Sequence, residues 1–98
     1  GGLKVADPAL DLAVVAAVMS SNFDIPLPQG TAMAGEVGLS GEIRTAARID
    51  RRVAEAQKLG FDTIYIPKNN LKGVKTSDYS INIVEVSKVE ELFRHLFA

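Results

Sequence analysis

The chain contains three segments in which apolar residues follow a helical pattern. The first, residues 9–21, consists mainly of Ala, Val and Leu, with apolar side chains on nearly all sides of the helix. This distribution is typical of a helix that is buried all round. Asp7 and Pro8 predict its start, because Asp caps free amide groups and Pro suits the first helical position. We therefore predict a central, buried helix in which Asp11 is the polar exception.

The other two helical segments each have one apolar stripe. The first of them covers residues 49–59, and Gly60 is expected to end it. Its stripe has helical spacing and consists of Ile49, Val53, Ala56 and Leu59. The last helix is predicted to start at the capping-box sequence of residues 87–90, SKVE. Its apolar side comprises Leu92, Phe93, Leu96 and Phe97.

Shorter apolar or alternating segments predict β-strands. They cover residues 3–5, 31–39, 42–46, 63–66 and 81–86. The turn sequence at residues 39–41, LSG, predicts that residues 31–46 form one β-hairpin. The order β-α-β-β-α-β-β-α indicates a single α/β or α+β domain built from packed layers.

Composition excludes several classes of protein. The 98 residues include 11 Lys and Arg against 12 Asp and Glu, and 47% are hydrophobic, as in an ordinary globular domain. The lack of Cys excludes disulfides, a thiolate nucleophile and Cys-ligated zinc. With His95 as the single histidine, a His-cluster metal site is excluded too. We expect no metal in this chain, and we expect His95 to be a surface or packing residue.

No membrane segment or signal peptide is predicted. The longest apolar stretch, residues 12–19, has eight residues, whereas a bilayer-spanning helix needs about 18. No basic segment precedes it, so the expected location is the cytoplasm. Because the chain opens on Gly1 rather than Met, we expect it to be part of a longer protein.

Three stretches resemble a known family when they are taken in order. They are residues 7–14 (DPALDLAV), 30–44 (GTAMAGEVGLSGEIR) and 60–69 (GFDTIYIPKN). Together they resemble the C-terminal Lon-protease-like domain of the RadA (Sms) family of bacterial DNA-repair and recombination ATPases. The resemblance implies the Lon-peptidase-like fold of the ribosomal-protein-S5 domain-2 type, a mixed sheet with packed helices. Residues 1–98 would be one partial Lon-like domain.

The resemblance also implies what lies outside this chain. Family members carry a zinc module and a RecA-type ATPase upstream, so ATP, Mg²⁺ and zinc are expected only in that missing part. Gly35, Gly38 and Gly41 do not argue otherwise, because no Lys-Ser/Thr and helix follow them as in a phosphate-binding loop. We interpret these glycines as parts of a tight hairpin and expect no ATP site here.

The more distant Lon peptidases use a Ser–Lys dyad, in which a neutral lysine amine activates the serine. In this resemblance Ala9 stands at the serine position and Asp50 at the lysine position. Ala cannot attack a carbonyl and Asp cannot act as an amine base, so we predict that the domain is not an enzyme. Ser20, Ser21 and Ser40 lack a base at a defined spacing. The alternative interpretation is an ATP-dependent serine peptidase of the Lon class with a displaced dyad.

Acidic residues offer a second hypothesis for the same site. Four carboxylates are expected to converge on the vacated dyad: Asp7, Asp11, Glu36 and Asp50. The acid/base interpretation is weighed against a structural one, in which Asp7 caps a helix and Glu36 makes hydrogen bonds or an ion pair. Buried acids require a cation, so Arg48, Arg51 or another arginine is expected beside Asp11 and Asp50.

Basic residues fall into two groups along the chain. The first is Arg44, Arg48, Arg51 and Arg52, and the second is Lys68, Lys72 and Lys75. A guanidinium group can grip two phosphate oxygens, so the arginines suit nucleic acid as well as a solvated face. In the resembled family this domain forms a hexameric ring and contacts duplex DNA. We therefore predict a non-catalytic oligomerisation and DNA-contacting domain, with subunit contacts in a ring as the alternative use of the arginines.

Overall fold

The computed structural model describes residues 10–97 of the chain. Its three α-helices are α1 (Leu12–Phe23), α2 (Ile49–Lys58) and α3 (Val89–Phe97). Its six strands are β1 (Leu10–Asp11), β2 (Thr31–Met33), β3 (Glu36–Val37), β4 (Ile43–Arg44), β5 (Thr63–Pro67) and β6 (Asn82–Val86). Two short 3₁₀ helices, Lys68–Gly73 and Thr76–Asp78, connect β5 to β6.

The strands form two three-stranded sheets. One is parallel, in the order β2-β5-β6, and the other is antiparallel, in the order β1-β3-β4. Parallel neighbours require a crossover connection, and α2 lies in the one that joins β2 to β5. The α/β fold class predicted from the sequence is confirmed. The parallel and antiparallel pairing expected of one mixed sheet is divided between two sheets.

Apolar side chains are buried on both faces of the parallel sheet. In β5, Ile64 and Ile66 belong to the core that α2 completes, whereas Tyr65 packs against the core that α1 and α3 complete. Successive residues of a strand point to opposite faces. Helix α2 therefore covers one face of the sheet, and α1 and α3 cover the other.

Helix α1 starts later than the sequence predicted. Its first residue is Leu12, and the Asp11 carboxylate Oδ1 accepts hydrogen bonds from the main-chain N–H groups of Ala13 (2.8 Å) and Val14 (3.3 Å). Leu10 and Asp11 belong to β1, so their placement inside the helix was wrong. The cap predicted at residues 7–8 and the strand predicted at residues 3–5 lie outside the described residues.

The prediction that α1 is buried on all sides was also wrong. Leu12 and Ala16 are fully buried, but Val14 and Val18 are 53% and 51% exposed. Only one face of this helix meets the sheets and α3 in the part of the chain from residue 10 to residue 97. Its opposite face is apolar and exposed because no described element packs there.

The segment predicted as one long strand, residues 31–39, is two strands in different sheets. β2 pairs with β5, whereas β3 pairs with β1 and β4. The chain changes sheet at Gly35, where φ is +126° and an added Cβ would lie 3.0 Å from Cγ of Pro67. Glycine permits this change of direction because it adopts a positive φ without a steric penalty. Of the predicted hairpin, only β3 and β4 form.

The two amphipathic helices agree with their predicted stripes, with two corrections. Leu59 was placed in the stripe of α2, but it follows the helix and is 69% exposed. In the capping sequence, Glu91 rather than Glu90 is the partner of Ser87: its Oε1 accepts the main-chain N–H of Ser87 at 2.8 Å. α3 begins at Val89, which puts the carboxylate at residue 91 within reach of the chain that enters it.

Candidate nucleic-acid interface

Three arginines at the start of α2 form an exposed cationic group. Arg48, Arg51 and Arg52 line one open cavity of about 330 Å³ together with Glu55. None of the three makes an ion pair with any residue that the structure describes. Arg48 is the N-cap residue of α2 and has a left-handed backbone, with φ of 52°, which a non-glycine residue seldom adopts.

The segment that leads into α2 is held by side chains on both sides. Ala46 exchanges two hydrogen bonds with the Asn70 amide: its N–H donates to Oδ1 at 2.7 Å, and its carbonyl accepts from Nδ2 at 3.1 Å. The next carbonyl, of Ala47, accepts from Nε of Arg52 at 3.2 Å. These hydrogen bonds therefore fix the direction in which the chain passes from the hairpin into the first turn of α2.

Two lysines from a distant part of the chain come close to the same end of α2. Lys68 and Lys72 are exposed residues of the 3₁₀ helix Lys68–Gly73. In that helix, Gly73 faces Ile49 at the start of α2, since a Cβ added there would be 3.6 Å from Cγ2 of Ile49. We use the name basic surface for the exposed cations of these two neighbouring segments, namely Arg48, Arg51, Arg52, Lys68 and Lys72. Lys75, from the same predicted group, is also exposed.

Arg44 differs from the other predicted arginines. Its Nε and Nη2 both donate to Oε2 of Glu42, at 3.2 and 3.1 Å. A hydrogen bond from the main chain of Glu42 itself, followed by the hydrogen bond from Arg44, lowers the pKa of Glu42 below its ordinary value of 4.5. The carboxylate is therefore ionised at neutral pH, and Arg44 serves the β3–β4 hairpin with its charge compensated.

One of the two predicted dyad positions lies among the described residues. Ala9 lies outside the described residues, and Asp50 is exposed in the first turn of α2. Asp11 and Glu36 do meet, because they are paired residues of β1 and β3, and they line a cavity of about 240 Å³. Asp50 does not line that cavity. Asp7, the fourth predicted carboxylate, is also outside the described residues.

The arginine beside Asp11 is Arg52, which falls under the alternative of an arginine other than Arg48 and Arg51. It lines the same cavity as Asp11 and Glu36, but forms no ion pair with a residue of the described chain. Both carboxylates are exposed, so water satisfies them and a buried counter-cation is unnecessary. Oδ1 of Asp11 caps α1, which agrees with a structural role for this residue.

Two of the three serines considered as nucleophiles make structural hydrogen bonds, and the third is exposed. The Ser20 hydroxyl donates to the carbonyl of Ile25 at 2.6 Å, and Ser40 lies in the turn, where its N–H donates to Glu42. Ser21 is exposed. Between residues 10 and 97 no group of His, Cys, Asp and Glu side chains could hold a metal ion. Nor is any helix among these residues long and apolar enough to cross a bilayer.

Two polar side chains that connect α2 and the segment before it to other parts of the chain were not predicted from the sequence. Asn70 joins the lysine-bearing 3₁₀ helix to Ala46. Oε1 of Gln57, on α2, accepts the main-chain N–H groups of Ser80 (2.7 Å) and Ile81 (3.0 Å). Asn after a Pro-terminated strand is typical of a turn, which was the available signal. This signal does not reveal that the hydrogen-bond partner of Asn70 lies 24 residues away in the chain.

Comparison with known proteins gives the family. A family model described as the Lon protease (S16) C-terminal proteolytic domain matches residues 2–98. The chain belongs to this family. The helices and two sheets of the described residues agree with the Lon-peptidase-like fold that the three sequence stretches implied.

Proteins similar to this chain include DNA repair protein RadA from three bacteria. RadA of Streptococcus pneumoniae is 45% identical over 98 residues, covering 100% of the chain and 23% of the relative. RadA of Listeria monocytogenes and of Bacillus subtilis are 46% and 45% identical over 94 residues, 96% of the chain and 20% of each relative. The predicted resemblance to the RadA family is thus confirmed, and the chain spans about a fifth of these relatives.

Proposed function

We propose that this chain is the non-catalytic, DNA-contacting and oligomerising domain of a RadA-like ATPase that acts in DNA repair and recombination. The observation that carries the proposal is the basic surface at the start of α2. Its three arginines are exposed and lack ion-pair partners among the described residues. Relatives named as DNA repair proteins support a nucleic-acid partner.

The chemistry of the basic surface suits a phosphate backbone. Arginine presents a planar fork that binds two phosphate oxygens, whereas lysine acts as a point charge. The chain carries a net charge of −1, so attraction to DNA depends on where the cations lie rather than on total charge. A surface built from two chain segments presents cations over a wider area than one helical turn.

The absence of catalysis is proposed from the residues at the dyad positions. An aspartate stands where the resemblance expects the lysine base, and its side chain is exposed at the start of α2. A carboxyl group exposed to water has neither the desolvation nor the amine that activates a serine in a Ser–Lys dyad. Ala9 supplies no nucleophile. A serine-directed fluorophosphonate probe is expected to leave the protein unlabelled, and covalent labelling would support the peptidase alternative.

Oligomerisation is proposed from exposed apolar surface. Besides Val14 and Val18, the exposed apolar side chains include Leu10 in β1 and Phe23 at the end of α1, 63% and 57% exposed. Apolar residues grouped on one helix are typical of surfaces that another chain or domain covers. In a ring, the arginines of the basic surface are the alternative candidates for subunit contacts.

The deciding experiment measures duplex-DNA binding by fluorescence anisotropy over a salt series. The test variant changes Arg48, Arg51 and Arg52 to Ala. The control changes Lys58, Lys88 and Arg94 to Ala, which removes the same charge from exposed positions elsewhere. Each phosphate contact contributes about −0.9 to the slope of log K against log salt.

Two outcomes separate the roles of the arginines. The test variant is expected to lose more affinity than the control and to have a slope less steep by about 2–3, because up to three phosphate contacts disappear. Equal losses in the two variants would contradict the proposal, since total charge alone would then explain binding. A folded protein that binds no DNA at low salt would leave the arginines as subunit contacts, and analytical ultracentrifugation of the same variants would test that role.

A further inference from the structure

Asn70 makes a two-way connection between two parts of the basic surface. Its amide oxygen accepts from the N–H of Ala46 at 2.7 Å, and its amide nitrogen donates to the carbonyl of Ala46 at 3.1 Å. Only a side-chain amide presents an acceptor and a donor side by side in this way without changing protonation. The side chain of Asn70 thus pairs with Ala46 as a neighbouring strand would.

The segment that Asn70 holds determines the direction in which the arginines leave the hairpin. Ala46 is two residues before Arg48, whose left-handed backbone begins α2. Ala47, between them, is held by the hydrogen bond from Arg52. A non-glycine residue keeps a left-handed backbone only where the surrounding structure holds it there. The hydrogen bonds of Asn70 therefore restrain the turn that points Arg48 and the first turn of α2.

The core beneath the surface does not need Asn70 to keep these elements together. Ile49 and Val74 are buried in one apolar cluster, against which Ala46 and Leu71 also pack. These contacts dock the 3₁₀ helix on α2 through apolar burial. What Asn70 adds is a directional restraint on a polar segment at the rim of that core. Loss of its amide should loosen this segment more than it unfolds the domain.

We propose that Asn70 is a positioning residue for DNA binding, because it fixes the arginines of α2 relative to Lys68 and Lys72. This inference rests on the proposed function. Preorganised cations engage several phosphates at once, whereas mobile ones must first be ordered, which reduces affinity. Asn70 itself need not touch DNA.

The experiment compares two variants of Asn70 with a neighbouring control in the 98-residue chain. Asn70→Ala removes both hydrogen bonds. Asn70→Asp keeps the acceptor for the Ala46 N–H, but places a carboxylate oxygen against the Ala46 carbonyl. Asn69→Ala is the control, because Asn69 is exposed and its side chain makes no hydrogen bond with any described residue. The wild type and the three variants carry the same number of cations in the basic surface. Only Asn70→Asp adds a negative charge.

Two measurements are made on each protein. Amide hydrogen exchange at Ala46 reports the restraint directly, and it is expected to accelerate about tenfold in Asn70→Ala. DNA anisotropy over a salt series reports the surface, with binding expected to weaken about fivefold at low salt and the slope to flatten by about 0.9, the value for one phosphate contact. A purely structural role would lower the melting temperature but leave the salt slope of the folded protein unchanged.

The outcomes separate this inference from the proposed function. Faster exchange at Ala46 in Asn70→Ala, weaker and flatter DNA binding in both Asn70 variants, and wild-type values in Asn69→Ala would support it. Wild-type DNA affinity and slope in a folded Asn70→Ala would overturn the inference while DNA binding itself stands. A wild-type protein that binds no DNA would overturn both. If neither Asn70 variant folds, Asn70 is a determinant of the fold and the positioning role is wrong.

Discussion

Helices α1 and α2 show opposite relations between composition and burial. α1 has no charged residue from Leu12 to Phe23, yet only Leu12 and Ala16 are buried. α2 consists mainly of polar residues, yet it buries Ile49, Val53 and Ala56. The fraction of apolar residues in a helix therefore does not indicate how much of the helix is buried. The periodicity of its apolar residues does, because a single apolar stripe can face only one neighbour.

The difference also separates the roles of the two helices. α2 buries its stripe on the parallel sheet, which leaves its polar side, with the arginines, facing solvent. α1 presents an apolar face to solvent in the described structure, and this face is available to other chains or other parts of a longer protein. One helix thus supplies the candidate DNA surface and the other the candidate assembly surface.

The largest expected effect comes from Val→Ala changes made in both helices. Val53 is fully buried in α2, so Val53→Ala removes two methyl groups from the core and leaves a cavity, with an expected loss of about 2 kcal/mol in the free energy of unfolding. Val18→Ala on the exposed face of α1 is expected to change it by less than about 0.5 kcal/mol. Urea denaturation measures both. A similar loss at Val18 would mean that this face of α1 is covered in solution.

The starts of the two helices give the next effect. Asp11 caps α1 with two side-chain hydrogen bonds, whereas α2 has no side-chain cap hydrogen bond. Asp11→Ala is therefore expected to cost about 1 kcal/mol of unfolding free energy. Asp11→Asn, which keeps the acceptor, should retain most of that stability. Thermal and urea unfolding of the two variants checks this, and equal destabilisation would show that the charge of Asp11 matters more than its cap.

At the start of α2, one substitution is expected to raise the free energy of unfolding rather than lower it. Arg48 has a left-handed backbone, which glycine adopts without a steric penalty. Arg48→Gly is expected to raise the free energy of unfolding by about 0.5 kcal/mol while it weakens DNA binding. Arg48→Ala should weaken binding similarly without the gain in stability. A loss of stability in Arg48→Gly would indicate that the arginine side chain, rather than the backbone, stabilises this turn.

The smallest effect concerns the start of α3 and depends on pH. The main-chain hydrogen bond from Ser87, helped by the Ser87 hydroxyl, lowers the pKa of Glu91 below its ordinary value of 4.5. A lowered folded-state pKa means that the ionised group stabilises the fold above pH 4.5 and that this contribution is lost as the pH falls through the lowered value.

Glu91→Gln is the matched variant for this prediction, because it keeps an acceptor oxygen and does not titrate. The melting temperature of the wild type should exceed that of Glu91→Gln near neutral pH, and the difference should shrink as the pH falls below 4.5. A difference that stays constant from pH 6 to about pH 3 would contradict the assigned pKa shift.

The arginines of the candidate site were predictable from the sequence, but the approach of the lysine-bearing segment to them was not. The sequence placed Arg48, Arg51 and Arg52 together because they lie within one helical segment. It also grouped Arg44 with them, although the ion pair with Glu42 gives that residue a different partner. The approach of Lys68 and Lys72 to the arginines depends on contacts between segments about 24 residues apart, and no local pattern reports such contacts.

The family, the fold class and the elements whose pattern is local follow from the sequence alone. The stripes of α2 and α3 and the short apolar run of β5 are properties of neighbouring residues, so periodicity was sufficient for them. Three features depend on the folded chain: the covered face of α1, the change of sheets at Gly35, and the pairing of Asn70 with Ala46. Burial, sheet partners and side-chain pairing are set by residues far apart in the chain, and their energies exist only once the chain has folded.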